Sequence, residues 1–311
     1  MSFKFIDLFA GIGGMRIAFE KAGGQCVFSS EWDRFAQKTY ETNFGEVPFG
    51  DITQIDARDI PKFDIVAAGF PCQPFSSIGK RQGFEHKTQG TLFYDVARII
   101  SYHKPNAFLL ENVSGLVTHD KGNTLATIIE TLEELNYSVS FKILDSVDFG
   151  VPQKRQRIYI VGFNNTKVSK NDFVFPKSRK VRVGIGKFVE SGHSELSISK
   201  HLQNVYIYKE DDGRPEVIDT KSDFPVKTLV ASYHKIQRLT GTFVKDGPTG
   251  LRLLSANECK AIMGFPKSFK IPVSRTQMYR QFGNSVAVPV VKAVAGAMIQ
   301  HMNENSKGKS K

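Results

Sequence analysis

One rhythm in the chain narrows the possible folds more than any other feature. Through residues 1–164, short apolar runs of strand length alternate with stretches whose apolar residues recur at three- and four-residue spacing. The runs are Phe3–Phe9, Cys26–Ser29, Phe63–Ala68, Ala107–Leu110, Val139–Leu144 and Ile158–Phe163, and Met15–Ala22, Phe35–Asn43, Leu92–Tyr102 and Thr124–Leu135 lie between them. Such alternation is how an α/β protein reads, with a doubly wound, mostly parallel sheet covered by helices on both faces and ligands at the carboxyl ends of its strands. After Phe163 the rhythm fails. Residues 167–187 carry Lys167, Lys170, Lys177, Arg179, Lys180, Arg182 and Lys187 against the single acid Asp172, and short β-type runs follow at Val205–Tyr208 and Thr228–Tyr233. Order returns at Ser255-Ala-Asn-Glu258, which has the form of a helix-opening capping box, and Pro289 suits the first turn of a last helix.

Charge divides at the same place. Residues 1–164 hold 17 basic and 19 acidic side chains, a net of −2, whereas residues 165–311 hold 25 and 12, a net of +13. A near-neutral half joined to a basic half points to two tasks, one of them beside a polyanion. The apolar stretch Val286–Ile299, interrupted by Pro289 and Lys292, reads as too short to span a bilayer, and the start of the chain shows no signal-peptide pattern. Three cysteines, Cys26, Cys72 and Cys259, cannot all pair and lack metal-ligand spacing. The reading is a soluble cytoplasmic protein with no metal.

Candidate chemistry lies at strand ends. Asp7-Leu-Phe-Ala-Gly-Ile-Gly-Gly14 sets a glycine loop between the first strand and helix, and Glu31 ends the second strand, where a carboxylate can take both hydroxyls of a ribose. A dinucleotide fingerprint would need glycine at position 16, which is Arg16. Asp7 would repel a pyrophosphate and attract an ammonium or sulfonium, so S-adenosylmethionine suits the loop better than a nicotinamide cofactor, although a ligand-free tight turn would look the same. Gly69-Phe-Pro-Cys72-Gln-Pro-Phe-Ser76 follows the third strand, which sets Cys72 in a proline-bracketed loop as a candidate nucleophile. Cys26 and Cys259 read as small buried hydrophobes. Glu111, at the end of Ala107–Leu110, is a candidate for proton transfer. Arg155 and Arg157 fall on one face of the next strand, where two guanidinium groups could converge on a carbonyl or phosphate, or simply form a solvated basic edge.

These blocks, in this order, resemble the bacterial DNA (cytosine-5)-methyltransferases of restriction-modification type. The likeness runs through Asp7–Gly14, Glu31-Trp32-Asp33, Gly50-Asp51-Ile52, Gly69–Gln73, Glu111-Asn-Val113, Gln153-Lys-Arg-Gln-Arg157, Arg252–Pro266 and Gln281-Phe-Gly-Asn-Ser-Val286, leaving about residues 165–250 variable. The resemblance implies a catalytic and cofactor-binding domain of residues 1–178 and 284–311, and a smaller, irregular, β-rich target-recognition domain of residues 179–283. It implies that Cys72 adds to C6 of a flipped-out cytosine, that Glu111 engages N3, and that Arg155 and Arg157 hold the base. For S-adenosylmethionine it implies a pocket of Phe9, Gly11, Ile12, Gly14, Glu31, Trp32, Asp51, Ile52, Pro71, Leu92, Asn284 and Val286, with Trp32 packing on the adenine unless it lies in the core. Double-stranded DNA is the implied partner of a monomer, with a cognate restriction endonuclease acting on the same site. Ser76, Lys80 and Arg81 in a closing loop, and Thr228, Tyr233, His234, Lys235, Gln237 and Arg238 in the recognition segment, are the candidate DNA contacts. The loop departs from the family at Gln89, where most members carry arginine. Rival readings are an RNA cytosine methyltransferase on the same scaffold, a DNA-binding module without catalysis, and a nicotinamide oxidoreductase, which Arg16 and Asp7 oppose.

Overall fold

The computed structural model describes residues 2–71, 92–168, 172–178, 182–210 and 212–306. Strands β1 (Phe3–Leu8), β2 (Gly24–Ser30), β3 (Ile65–Gly69), β4 (Ala107–Val113), β5 (Tyr137–Asp145) and β6 (Gln156–Asn164) form one six-stranded sheet in the order β2-β1-β3-β4-β6-β5. Strand β6 runs antiparallel to both of its neighbours, and the other pairs are parallel. Alternate side chains of the central strands enter two separate cores, as period two requires. Phe5, Ala67, Leu109 and Val161 face helices α1 (Gly14–Glu20) and the C-terminal α8 (Val288–Asn305). Ile6, Val66, Leu110 and Ile160 face α3 (Leu92–His103) and α4 (Asn123–Glu134). The sheet is therefore doubly wound, and the chain leaves β1 toward β2 on one side and β3 on the other. That reversal opens a crevice at the carboxyl ends of β1 and β3.

Local chemistry sets the ends of the helices. Asp33 caps α2 (Arg34–Phe44) by accepting from the amides of Phe35 and Ala36, and Gly45 closes it in the left-handed region. Ser255 and Glu258 form the reciprocal capping box of α6 (Ala256–Met263), and Pro289 stands in the first turn of α8, both as the sequence predicts. Between α6 and α8 lies α7 (Arg275–Asn284). By length and hydropathy alone the run Arg275–Asn305, which takes in both α7 and α8, is long and apolar enough to cross a membrane. Most of it is buried inside the fold, however, where Val290, Val291, Val294 and Met298 are inaccessible and α8 packs on α1.

The stretch between β6 and α6 has little regular structure. Among the described residues its strands are β7 (Glu216–Ile218) and β8 (Thr242–Val244), paired in parallel. Neither β-type run found in the sequence forms a strand: Val205–Ile207 belongs to a π-helical turn, Gln203–Ile207, that follows the single turn α5 (Lys200–Leu202), and Tyr233 opens a 3₁₀ turn. Burial explains the difference. Ile207, Leu229 and Tyr233 enter the same core as Ile262, Phe282 and Val290, so tertiary packing overrides β propensity.

Candidate active site

The residues assigned to cofactor binding gather at the carboxyl ends of β1, β2 and β3. Gly13, with φ +83°, has no room for a side chain: a Cβ there would lie 2.2 Å from the Phe44 ring. Arg16 occupies the place of the missing glycine and staples the helices, pairing with Glu20 and Glu46 and lying 4.4 Å from the centre of the Phe44 ring. Glu31 follows β2 and holds the loop: its carboxylate accepts from the amides of Gly11 and Asp33, each at 2.8 Å. Phe49–Asp51 runs alongside the end of β2 through bonds between Phe49 and the backbone of Ser29 and Glu31, which brings Asp51 and Ile52 to Glu31. Asp51 caps the turn Ile52–Gln54, and Arg98 on α3 braces it from behind through the carbonyls of Ile52 and Ile55. Trp32 is 76% exposed, so the core-packing alternative for the only tryptophan does not hold.

Phe9 and Gly11 are half-buried and Ile12 is buried, while Pro71 and Asn284 are exposed. Val286 packs so closely on the glycine loop that a Cβ on Gly14 would lie 2.8 Å from it. Asp7 is fully buried, and burial raises its pKa well above the ordinary range. An uncovered indole face and a strand-end carboxylate beside it fit a nucleoside, and so fit S-adenosylmethionine.

The second group stands across the crevice. Glu111 on β4 is in register with Gly69 on β3, and a Cβ on Gly69 would lie 3.7 Å from Glu111 Oε2. Arg157 on β6 places Nε 3.3 Å from Glu111 Oε1. Burial outweighs the attraction of Arg157 and Arg155, so the Glu111 pKa is raised. Asn112 donates to the Phe70 carbonyl at 3.0 Å and so ties the ends of β3 and β4 together, a role that its place beside Glu111 in the sequence did not reveal. Cys72, Ser76, Lys80 and Arg81 lie outside the described residues. The other thiols are poor nucleophiles: burial pushes Cys26 up to about 12 and raises Cys259 well above its usual value.

Arg155 does not share the Glu111 face in the way its spacing suggests. Its guanidinium is buried and donates to the carbonyls of Leu229, Gly283 and Ser285. Burial, with Arg157 nearby, lowers its pKa to about 10, so the group remains cationic near neutrality.

The candidate DNA-reading residues separate in the same manner. Lys235 and Gln237 are exposed, and His234 is half-buried. Thr228 is half-buried and donates to the Lys154 carbonyl at 2.6 Å. Tyr233 must be withdrawn as a base-reading group: it is 2% exposed, its hydroxyl donates to Thr242 O and accepts from the Leu254 amide, and its ring meets Tyr279 edge-on. The guanidinium of Arg238 is held by Glu210 and Asp212, so it ties two surface segments together and is not free for a base. Tyr206 and Tyr208, beside Lys209, are exposed aromatics in a run expected only to form a strand. Exposed aromatic rings next to a cation are groups on which an unstacked base could stack.

A doubly wound sheet with a nucleoside crevice at its switch point and a carboxyl–guanidinium pair beside it defines the class: an S-adenosylmethionine-dependent methyltransferase. Solved structures support the fold. The S. pombe Dnmt2 methyltransferase superposes with a TM-score of 0.77 over 97% of this chain and 100% of its own, at 20% identity. A Spodoptera frugiperda DNMT2 mutant gives a TM-score of 0.74 over 97% of this chain and 99% of its own, at 23% identity. Within that class, the sequence profile of the C-5 cytosine-specific DNA methylases matches residues 3–300, and the chain belongs to that family. It is 62% identical over 293 residues to the type II methyltransferase M.MspI of Moraxella sp, covering 94% of this chain and 69% of the relative. It is 58% identical over 299 residues to M.BsuFI of Bacillus subtilis, covering 96% and 73%.

Proposed function

We propose that the enzyme methylates C5 of a cytosine flipped out of a short duplex DNA target, through a covalent bond between Cys72 and C6. The observation that carries this reading is Glu111: buried, raised in pKa, paired with Arg157, and in register with Gly69, three residues before Cys72 in the chain.

Cytosine C5 is a weak nucleophile. Attack of the Cys72 thiolate on C6 moves the C5–C6 electron pair to C5, and the negative charge that would build on the ring is met at N3 by the Glu111 carboxyl proton. Only the protonated carboxyl can donate there, and the raised pKa favours that form. Arg157 holds the carboxyl in place and can itself donate to the base. S-adenosylmethionine supplies an electrophilic methyl group when bound, with Glu31 and Asp51 for its ribose and adenine edges and Trp32 for the adenine face. Loss of the C5 proton to a base then returns its electron pair to C5–C6 as the Cys72 sulfur leaves, and N3 gives its proton back to the Glu111 carboxylate, giving 5-methylcytosine. A stacked base hides both carbons, so the target must leave the helix.

In this reading residues 1–178 and 284–311 build the catalytic part and residues 179–283 read the DNA. Likeness to type II methyltransferases supports a protective role in restriction-modification, in the cytoplasm. It also favours DNA over RNA as substrate. Trapping tests the mechanism. Duplex DNA carrying 5-fluorocytosine cannot lose fluorine as a proton, so a denaturant-resistant protein–DNA adduct should accumulate with wild type and not with Cys72→Ala. An adduct that persists in Cys72→Ala would overturn the covalent step.

A further inference from the structure

Gln153 and Arg155 lie at the centre of a junction that the chemistry above does not use. The backbone of Pro152–Lys154 is zipped to Val226: Val226 N donates to Pro152 O at 2.9 Å and Lys154 N to Val226 O at 2.8 Å. Side chains extend the zipper to Leu229. Gln153 Oε1 accepts from the Leu229 amide at 2.7 Å, and Arg155 Nη1 donates to the Leu229 carbonyl at 3.2 Å. One peptide residue is therefore held at both of its backbone groups by two side chains from the segment that leads into β6, the strand that carries Arg157. Gln153 is fully buried, and its Nε2 donates to Ile262 O on α6 at 2.9 Å.

The other end of Arg155 reaches the cofactor side. Its Nη2 donates to Gly283 O at 3.0 Å and Ser285 O at 2.6 Å. Gly283 is itself pressed against the recognition segment, since a Cβ there would fall 2.2 Å from Ala231 N. Ser285 Oγ would lie 2.9 Å from a Cβ on Gly14 in the glycine loop. Contacts therefore run without a gap from the cofactor loop, through Ser285 and Arg155, to Leu229, and the chain continues from Leu229 to the exposed Lys235 and Gln237. Only Nε of Arg155 lacks a partner, and it is buried, so the group as it stands offers nothing to a base.

We propose that Gln153 and Arg155 are positioning residues that lock the recognition segment Thr228–Gln237 to the Glu111–Arg157 face, so that the bases read and the base methylated stay in register. This rests on the methyl-transfer reading above. Buried carbonyls and amides held by side chains are costly to leave unpaired, so loss of the clamp should let the segment shift and weaken discrimination between targets.

Gln153→Met keeps the volume and removes both hydrogen-bonding functions. Methylation-sensitive sequencing of DNA from cells expressing wild type identifies the target. Purified wild type and variant are then compared on duplexes carrying the target or single-base-pair changes of it. The expected result is about a tenfold fall in the ratio of kcat/KM between target and altered sites, driven by KM for DNA, with the affinity for S-adenosylmethionine unchanged. Arg155→Lys, which retains the charge but cannot span from one nitrogen the carbonyls that Nη1 and Nη2 reach separately, should show the same loss of discrimination and serves if Gln153→Met does not fold. An unchanged ratio in a folded variant would overturn the proposal, as would equal losses on every duplex accompanied by weakened cofactor binding. Absence of 5-methylcytosine with wild type would instead defeat the reading on which the proposal rests.

Discussion

Replacing Glu111 by Gln separates holding the base from giving it a proton. The amide is isosteric and can still donate a hydrogen bond to N3, but it has no proton to transfer. Glu111 is buried at the end of β4, its pKa raised first by desolvation and only partly lowered by Arg157 and Arg155. Loss of general acid–base function costs on the order of 10²–10⁴ in rate, and the lower end corresponds to about 2.7 kcal/mol of transition-state stabilisation. Single-turnover transfer of labelled methyl groups at saturating duplex DNA should therefore slow at least about a hundredfold. DNA affinity, measured by gel shift, should change far less. Wild-type rate should fall as pH rises through the raised pKa of Glu111, where the carboxyl loses its proton, and the variant should show no such limb. Stability follows the same sign. A carboxyl whose folded pKa lies above its unfolded value contributes stability that is full below the unfolded pKa and is lost as pH rises through the folded one, so wild type should lose stability relative to Glu111→Gln across that window. Equal losses of rate and DNA affinity would refute the proton-transfer role and leave Glu111 a structural partner of Arg157.

Trp32→Ala should weaken S-adenosylmethionine binding by calorimetry, by about 1–3 kcal/mol if the ring stacks on the adenine, and leave thermal unfolding nearly unchanged because Trp32 is 76% exposed; unaltered affinity would remove it from the pocket. Because it is the only tryptophan, quenching of wild-type fluorescence by the cofactor reports the same contact. Neutralising Lys177, Arg179, Lys180 and Arg182 together, of which Arg179 and Lys180 lie outside the described residues, should weaken duplex binding and flatten its salt dependence by roughly 0.9 in log–log slope for each phosphate no longer neutralised. An unchanged slope would move the DNA-facing charge to Lys235 and its neighbours.

What the sequence made legible was whatever short-range pattern decides. Period two and period 3.6 marked the strands and helices of the sheet, because each face of β1, β3, β4 and β6 must be apolar to meet helices on both sides. The Ser255–Glu258 box and Pro289 are cap chemistry written within a few residues. Glu31 and Glu111 were recognisable because a carboxylate at the end of an apolar strand is conspicuous wherever it occurs. What stayed hidden was settled at long range. Spacing puts Arg155 and Arg157 on one face, yet says nothing of what packs on that face, and Arg155 finds its acceptors 74, 128 and 130 residues away. Tyr233 and Arg238 have the right chemistry for reading DNA and lose it to partners that fold against them, Thr242 and Leu254 for one and Glu210 and Asp212 for the other.

These misreadings share a cause, because in each a polar side chain suited to a ligand was taken up by backbone or by an opposite charge. Where the chain has little regular structure, its carbonyls and amides must find side-chain partners in place of ladder partners. The irregular stretch between β6 and α6 is therefore where polar residues are most often structural. In the proposed function it is also the stretch that reads the target. Residues left for that task are those whose polar ends remain exposed after the backbone has been satisfied, and on that criterion Lys235, Gln237, Tyr206 and Tyr208 displace Tyr233 and Arg238.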